Sequence, residues 1–237
     1  MLINCPIERN ERREQKHSTI LQWLRDETWT TVEIISNLLE MTRQGSWKTL
    51  KQMEVAGFLR ESKIKVVGKS FISLWGITPH GLAYAWSLNE IPEDRPVFEP
   101  SRIALSMIEH NLDLQRARLY KSRQNWTNWV RGERLGFKVK NRPDAIAQDN
   151  NGEIVAIEIE RTVKTKKRYR QIMSSHLQQI NKGTWNRVEY ICLDDLMAKR
   201  LERIFNTIDY VLVNRQKVKI NDRHYEKFTF INLLFKQ

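Results

Sequence analysis

Cysteine is almost absent, with only Cys5 and Cys192 in 237 residues. Two thiols cannot build a disulfide framework or a CxxC-type zinc site, so they read as idle or buried side chains. No apolar run approaches the ~18 residues of a membrane span. The opening MLINCPIERNERREQKH lacks the apolar stretch of a signal peptide. Both absences predict a cytoplasmic protein with no membrane partner. Histidine is also scarce: five residues, at 17, 80, 110, 176 and 224, form no HxH-type cluster.

What the chain has in excess is positive charge. Forty Lys and Arg against 28 Asp and Glu give a net +12, beside 41% hydrophobic residues. That is enough apolar material for packed cores and argues against wholesale disorder. A length of 237 allows one large domain or two small ones. The charge is uneven: residues 1–88 hold 12 basic and 9 acidic side chains, and residues 101–237 hold 27 and 15. Between them, NEIPEDRPVFEP sets Arg95 against Glu90, Glu93, Asp94 and Glu99 and contains three of the six prolines. Prolines hold a chain extended and end helices, so residues 89–100 read as an interdomain linker. The expected division is an arm at 1–16, domains at 17–88 and 101–237, and a nucleic-acid partner.

From His17 the pattern turns helical, with Ser18 as a cap and Ile20, Leu21, Trp23 and Leu24 at three- and four-residue spacing. Thr30 or Thr31 caps a second helix through Val32, Ile34, Ile35, Leu38 and Leu39. A third runs from Gly45 to Ala56 with Trp47, Leu50, Met53 and Val55, and Gly57 ends it. Phe58–Val66 and Phe71–Ile77 then read as two strands. This order, with LKQMEVAGFLRE before the hairpin and ITPHGLAYA after it, resembles the winged-helix DNA-binding domain. The resemblance implies a third helix in the major groove and a hairpin at the backbone or minor groove. Arg43, Gln44, Ser46, Lys48, Thr49 and Lys51 would be the exposed helix face, and Lys65 and Lys69 would lie on the wing. A protein–protein module is the alternative.

In the C-terminal part, Arg142-Pro143-Asp144-Ala145-Ile146-Ala147 and Ile154-Val155-Ala156-Ile157-Glu158-Ile159-Glu160 flank an Asn-Gly turn and read as a β-hairpin. Strand alternation puts Glu158 and Glu160 on one face, where the hairpin can bring Asp144 beside them. Crowded carboxylates raise one another's pKa unless a cation sits among them, which suggests a hard-metal site for Mg²⁺ or Mn²⁺. A merely solvated acidic face is the other reading. Upstream, Ser101–Leu135 reads as helical and includes Glu109, His110 and Glu133. Downstream, Thr165–Ile180 reads as a helix, Arg187–Leu193 as a strand, Asp194–Asn206 as a helix and Tyr210–Val213 as a strand. A last strand falls within 218–237. The fold class expected is two-domain mixed α/β (α+β).

RPDAIA and IVAIEIERT in that order of elements resemble the PD-(D/E)xK restriction-endonuclease-like nucleases. More narrowly, a winged helix, a helix with an HN pair, RPDA, an acidic ExE strand and a basic helix containing Tyr resemble the replication-relaxation family, which includes the MobC-type relaxases of mobilizable plasmids. The resemblance covers roughly residues 17–213. It implies metal ligation by Asp144 and Glu158, with Glu133 as a further ligand. Glu160 stands where the superfamily usually has Lys, so either Lys164 or Lys166 would supply the amine, or Glu160 would itself bind metal or orient water. It further implies a relaxase that binds a plasmid transfer origin as duplex and single strand and nicks one strand, together with an accessory mobilization protein and a coupling protein. A non-catalytic origin-binding accessory or initiator protein and a double-strand endonuclease are the rivals. Tyr169 and Tyr120 are the candidate nucleophiles of a covalent route. With no histidine cluster of the kind used by tyrosine relaxases of another fold, metal-dependent hydrolysis is favoured.

Arg161, Lys164, Lys166, Lys167, Arg168 and Arg170 give six basic residues in ten with no acid. Directly after the candidate metal strand they read as a phosphate clamp, or else as a solvated helix face. Trp126, Trp129 and Trp185 could stack on unpaired bases, or belong to the core.

Overall fold

The computed structural model describes residues 5–65 and 71–232. The chain is mixed α/β and divides into two compact units, 1–115 and 116–237.

In the first unit, α1 (Pro6–Glu27) starts with Pro6 at its first turn and buries only its C-terminal half, through Ile20, Leu21, Trp23 and Leu24. Residues 6–16 are therefore the exposed first turns of α1 rather than a separate arm. Their Arg, Glu, Gln and Lys are good helix formers that carry no apolar periodicity. Strand β1 (Trp29–Thr30) leads into α2 (Val32–Leu38), where Thr31 accepts a hydrogen bond from Ile34 N. Thr42 caps α3 (Arg43–Val55), accepting from Gly45 N at 3.1 Å. Gly57, at φ 78°, supplies the left-handed residue that ends it. Strands β2 (Leu59–Lys65) and β3 (Phe71–Ile77) pair antiparallel, β1 adds to the other edge of β3, and α4 (Pro79–Ala83) follows.

Residues 89–100 belong to this unit instead of linking two. Glu90 binds Arg25 Nη1 at 3.0 Å, and Phe98 N donates to Ile77 O. The Phe98 ring lies over Gly76, where any Cβ would stand 1.9 Å from its Cγ. Gln115 closes the unit, accepting from Thr30 Oγ1 and donating to Trp29 O, both at 2.8 Å. The boundary thus falls inside α5 (Ile108–Ser122).

In the second unit α5 ends early, and the helix expected through Leu135 does not form. Asn125 and Asn128 take left-handed φ of 62° and 51°, a conformation asparagine tolerates. The aromatic and β-branched residues after Asn125, with Asn128 among them, form β4 (Thr127–Arg131). After a 3₁₀ turn (Gly132–Arg134) come β5 (Ala145–Gln148), β6 (Ile154–Glu160), α6 (Lys166–Asn181), β7 (Arg187–Cys192) and α7 (Asp195–Asn206). Then β8 (Tyr210–Val213), β9 (Gln216–Lys219), α8 (Asp222–Tyr225) and β10 (Phe228–Asn232) complete the unit. The sheet order is β10-β7-β6-β5-β4: β4, β5 and β6 form an antiparallel meander, while β7 and β10 run parallel to β6. Strand β8 pairs only with β9, as a hairpin outside this sheet, so the sheet's last strand is β10. The α6–α7 side of the sheet buries Tyr169, Met173, Trp185, Tyr190, Leu201, Phe205 and Phe228.

Candidate functional site

The β5–β6 hairpin forms as its Asn-Gly turn predicts, with Ala145 opposite Ile157 and Gly152 at φ 82°. One step further along the register, Asp144 lies across from Glu158. The backbone fixes it there: Asp144 N donates to Ile157 O at 2.9 Å, and Asp144 Oδ2 accepts from Ile159 N at 2.7 Å. Gly132 N donates to Asp144 O at 2.8 Å. A Cβ on Gly132 would sit 1.7 Å from Pro143 O, so only glycine allows this approach.

Asp144 and Glu158 therefore form a carboxylate pair on the face that also carries Glu160. Burial pushes the Glu158 carboxyl up, a hydrogen bond from His176 pulls it back, and the neighbouring Asp144 charge raises it again. His176, wholly buried on α6, places Nε2 3.0 Å from Glu158 Oε1 and packs edge-on against Trp185.

Glu160, on the same face, is engaged by other groups. Lys164 Nζ donates to both its oxygens, at 2.5 and 2.6 Å, and the Tyr169 hydroxyl donates to Oε2 at 3.1 Å. Glu133 lies in the 3₁₀ turn after β4 instead of on a helix, is mostly exposed, and pairs with Arg131 Nε at 3.4 Å. Among the described residues no group of three or more His, Cys, Asp and Glu is arranged to hold a metal. Of the expected carboxylates, the structure sets Asp144 and Glu158 side by side, while Glu160 and Glu133 are engaged by Lys164 and Arg131. As two hard oxygen donors, with Glu158 raised first by burial and further by the Asp144 charge, the pair fits one Mg²⁺ or Mn²⁺.

Lys164 is the amine brought to this face; Lys166 begins α6 and is exposed to solvent. Tyr169 is wholly buried, and burial pushes its hydroxyl well above the ordinary tyrosine range. That hydroxyl is engaged by Glu160 and by Lys164 N, so Tyr169 is not an exposed nucleophile. Tyr120 on α5 is 40% exposed, with its ring near Lys121 Nζ. The Cys192 thiol is pushed up to about 12 by burial and then by Glu160 and Asp194, and both cysteines are free.

Within the basic run, Lys166, Lys167 and Arg168 are exposed. Arg170 is held on the protein, its guanidinium 4.1 Å from the Tyr210 ring and 4.0 Å from Asp209. Arg161 is partly buried. Trp185 is core, so it offers no stacking face, and Trp126 is partly buried with Lys121 at 4.2 Å and Arg187 at 5.5 Å from its ring. Trp129 is partly buried, with its indole nitrogen unexposed.

In the first unit, the outward face of α3 differs from the expected one. Arg43, Gln44 and Lys48 are exposed, but Ser46 and Thr49 are buried. Lys51 is committed to Glu54 and Glu61 at 2.8 and 2.7 Å, and these carboxylates hold its ammonium above the usual lysine range. Trp47 and Val55, two of the apolar residues of this helix, are 46% and 89% exposed. Helical rotation explains the exchange: positions 44, 47, 48 and 55 share one face, and 46, 49, 50 and 53 the opposite one. Arg43, Gln44 and Trp47 line a cleft with Val32, Glu61, Ser73 and Trp75. Lys65 is exposed on β2, and Lys69 lies outside the described residues.

His176 escaped the sequence reading. Its signal was the seven-residue spacing from Tyr169, which puts both on the inward face of α6 with Ile172 and Met173.

No family model and no curated protein matches the chain. Among solved structures it is similar to Lactococcus lactis ZitR. A mutant in apo form is 20% identical at a TM-score of 0.27, covering 33% of this chain and 58% of that one. A mutant in complex with DNA is 21% identical at 0.26, covering 30% and 46%. The chain spans about half the length of these ZitR chains. Scores this low assign it neither ZitR's fold nor its role. No described helix is long and apolar enough to cross a membrane.

Proposed function

We propose that the chain is a DNA-processing protein of plasmid mobilization, a relaxase whose second unit nicks one strand at a transfer origin and whose first unit, a winged helix, binds the origin duplex. The observation that carries this reading is the Asp144–Glu158 pair, held across β5 and β6 where the antiparallel meander meets the parallel strands. The β4–β5–β6–α6–β7 order around it supports a restriction-endonuclease-like domain. Asp144 and Glu158 would hold a divalent ion, which when bound lowers the pKa of water and neutralises charge on the phosphate. Asp144 is oriented by Ile159 N and the Gly132 turn, and Glu158 by His176. Lys164, whose ammonium Glu160 holds on this face, supplies the amine that the resemblance places on the strand itself and is the candidate to stabilise charge at the scissile phosphate. With Tyr169 buried, hydrolysis is the favoured route. An accessory mobilization protein and a coupling protein remain the partners implied by the relaxase reading.

A second reading, an origin-binding accessory protein without catalysis, is favoured by one observation: Glu160 and Glu158 both spend hydrogen bonds inside the protein, on Lys164 and His176. Supercoiled plasmid with and without the candidate origin, in Mg²⁺, Mn²⁺ or EDTA, separates the readings. Open circles that need origin and metal and vanish with Asp144→Asn support nicking. Linear product identifies a double-strand endonuclease, and binding without topological change supports the accessory protein.

A further inference from the structure

The β8–β9 hairpin lies outside the main sheet and takes no part in the carboxylate site. Its register pairs Tyr210 with Lys219 and Leu212 with Lys217. These four residues share one face, because directly paired residues of an antiparallel ladder point the same way. Val211, on the opposite face, is buried against the core, so the Tyr210, Leu212, Lys217 and Lys219 face is the outward one. Lys217, Lys219 and the turn residue Arg215 are all exposed, and residues 210–220 contain no acid.

Two cations already crowd the Tyr210 ring. Arg170 lies 4.1 Å and Lys217 Nζ 4.8 Å from its centroid, and Arg170 Nη1 donates to the Tyr210 hydroxyl at 3.0 Å. Asp209, itself largely exposed, approaches Arg170 only at 4.0 Å. Arg170 Nε is buried without a hydrogen-bond partner. Ser174 on α6 donates to Leu212 O at 2.7 Å, so the hairpin is seated on the helix whose first turn exposes Lys166, Lys167 and Arg168. The hairpin and the start of α6 thus form one cationic surface with an aromatic residue at its centre. Like charges held this close are relieved by an anion, and a row of cations along a strand suits a row of phosphates.

We infer that the outward face of the β8–β9 hairpin, with Arg215, Lys217 and Lys219, is a second nucleic-acid contact that grips the phosphate backbone of duplex DNA independently of sequence. The inference rests on the DNA-binding part of the proposed function and not on catalysis.

The test is the salt dependence of binding to a short fluorescent duplex of arbitrary sequence, for the full chain and two triple variants. One is Arg215→Ser/Lys217→Gln/Lys219→Gln on the hairpin. The other is Lys199→Gln/Arg200→Gln/Arg203→Gln on exposed α7, which removes the same charge elsewhere. Each neutralised phosphate contributes about 0.9 to the slope of log affinity against log salt. The hairpin variant should lower that slope by about 2 to 3 and weaken binding at least about tenfold. The α7 variant should change the slope by less than about 1. Thermal denaturation of both variants checks that the fold survives, and a hairpin variant that does not fold is replaced by Lys217→Gln/Lys219→Gln, expected to lower the slope by about 2. Equal slopes for wild type and hairpin variant, or equal losses in both variants, overturn the inference and leave the proposed function standing. A wild type that binds neither duplex nor single strand overturns both. Hairpin-dependent binding to phosphatidylserine vesicles but not to duplex also overturns it.

Discussion

The two units differ most in charge. Residues 1–115 hold 14 basic and 15 acidic side chains, while residues 116–237 hold 26 and 13. The unit with the helix-and-hairpin order of a DNA reader has no electrostatic excess, and the unit with the carboxylate pair has all of it. Non-specific affinity for DNA comes from phosphate neutralisation, and sequence preference from a few side chains at base edges. Under the proposed function this difference would divide the work: the second unit would grip, and the first, through Gln44, Lys48 and Trp47 on α3, would select. On the same proposal the basic excess of the second unit would attract a phosphate despite Asp144, Glu158 and Glu160.

The largest expected effects concern the second unit. Lys121 and Glu189 form an ion pair at 2.5 Å with both side chains almost wholly buried. Lys121→Met leaves the buried Glu189 facing only the longer contact with Arg187 Nη1 at 3.6 Å and should cost about 2–3 kcal/mol, measured by urea unfolding. The exposed pair Arg102–Glu99 of the first unit should contribute less than about 1 kcal/mol in the same assay. Next, Gly132→Ala should displace the Pro143–Asp144 backbone and lower nicking at least about 100-fold, as loss of a preorganised site does, while duplex binding is kept. Retained nicking would mean that the Gly132 turn does not position Asp144. Gln44→Ala with Lys48→Ala should cost about 1–3 kcal/mol of discrimination between origin and random duplex, with little change in the salt slope. An equal loss on both duplexes would break the division of work.

The smallest effects are those of pH. Burial would raise Asp149, but hydrogen bonds from Arg187, Glu153 N and Asn151 N hold its carboxyl below the usual range. Its contribution to stability is present above the ordinary carboxylate pKa and is lost as pH falls through the lowered one. Asp149→Asn should therefore destabilise near neutrality and flatten the acid limb of a Tm against pH curve. Glu158 has the opposite sign. Its raised carboxyl favours folding most when protonated, and that advantage is lost as pH rises through its folded pKa. Glu158→Gln should raise Tm at neutral pH, with the gain gone in acid. A Tm that falls at neutral pH would show that the ionised form is fully compensated.

Much of this was legible in the sequence because it is local. Thr31 caps a helix, helices begin at Thr165 and Asp194, Gly57 and Gly152 turn the chain, and the Asn-Gly turn fixes the register that sets Asp144 beside Glu158. The parts that escaped are set by tertiary packing. Nothing in an ExE strand reveals that Lys164 reaches back to Glu160, or that His176, eighteen residues on, closes over Glu158. The polar first half of α1 carries no apolar period, and the two left-handed asparagines that stop α5 resemble any others in composition. Trp47 and Val55 are apolar yet exposed, because one-residue differences on a helix decide which face a side chain occupies.

The decisive measurement is the conversion of supercoiled origin plasmid to open circle in Mg²⁺, with wild type and Glu158→Gln side by side. The carboxylate pair predicts open circles from wild type alone, although the variant is the more stable protein at that pH. Open circles from Glu158→Gln at the wild-type rate would contradict the assignment of the Asp144–Glu158 pair as the cleavage site.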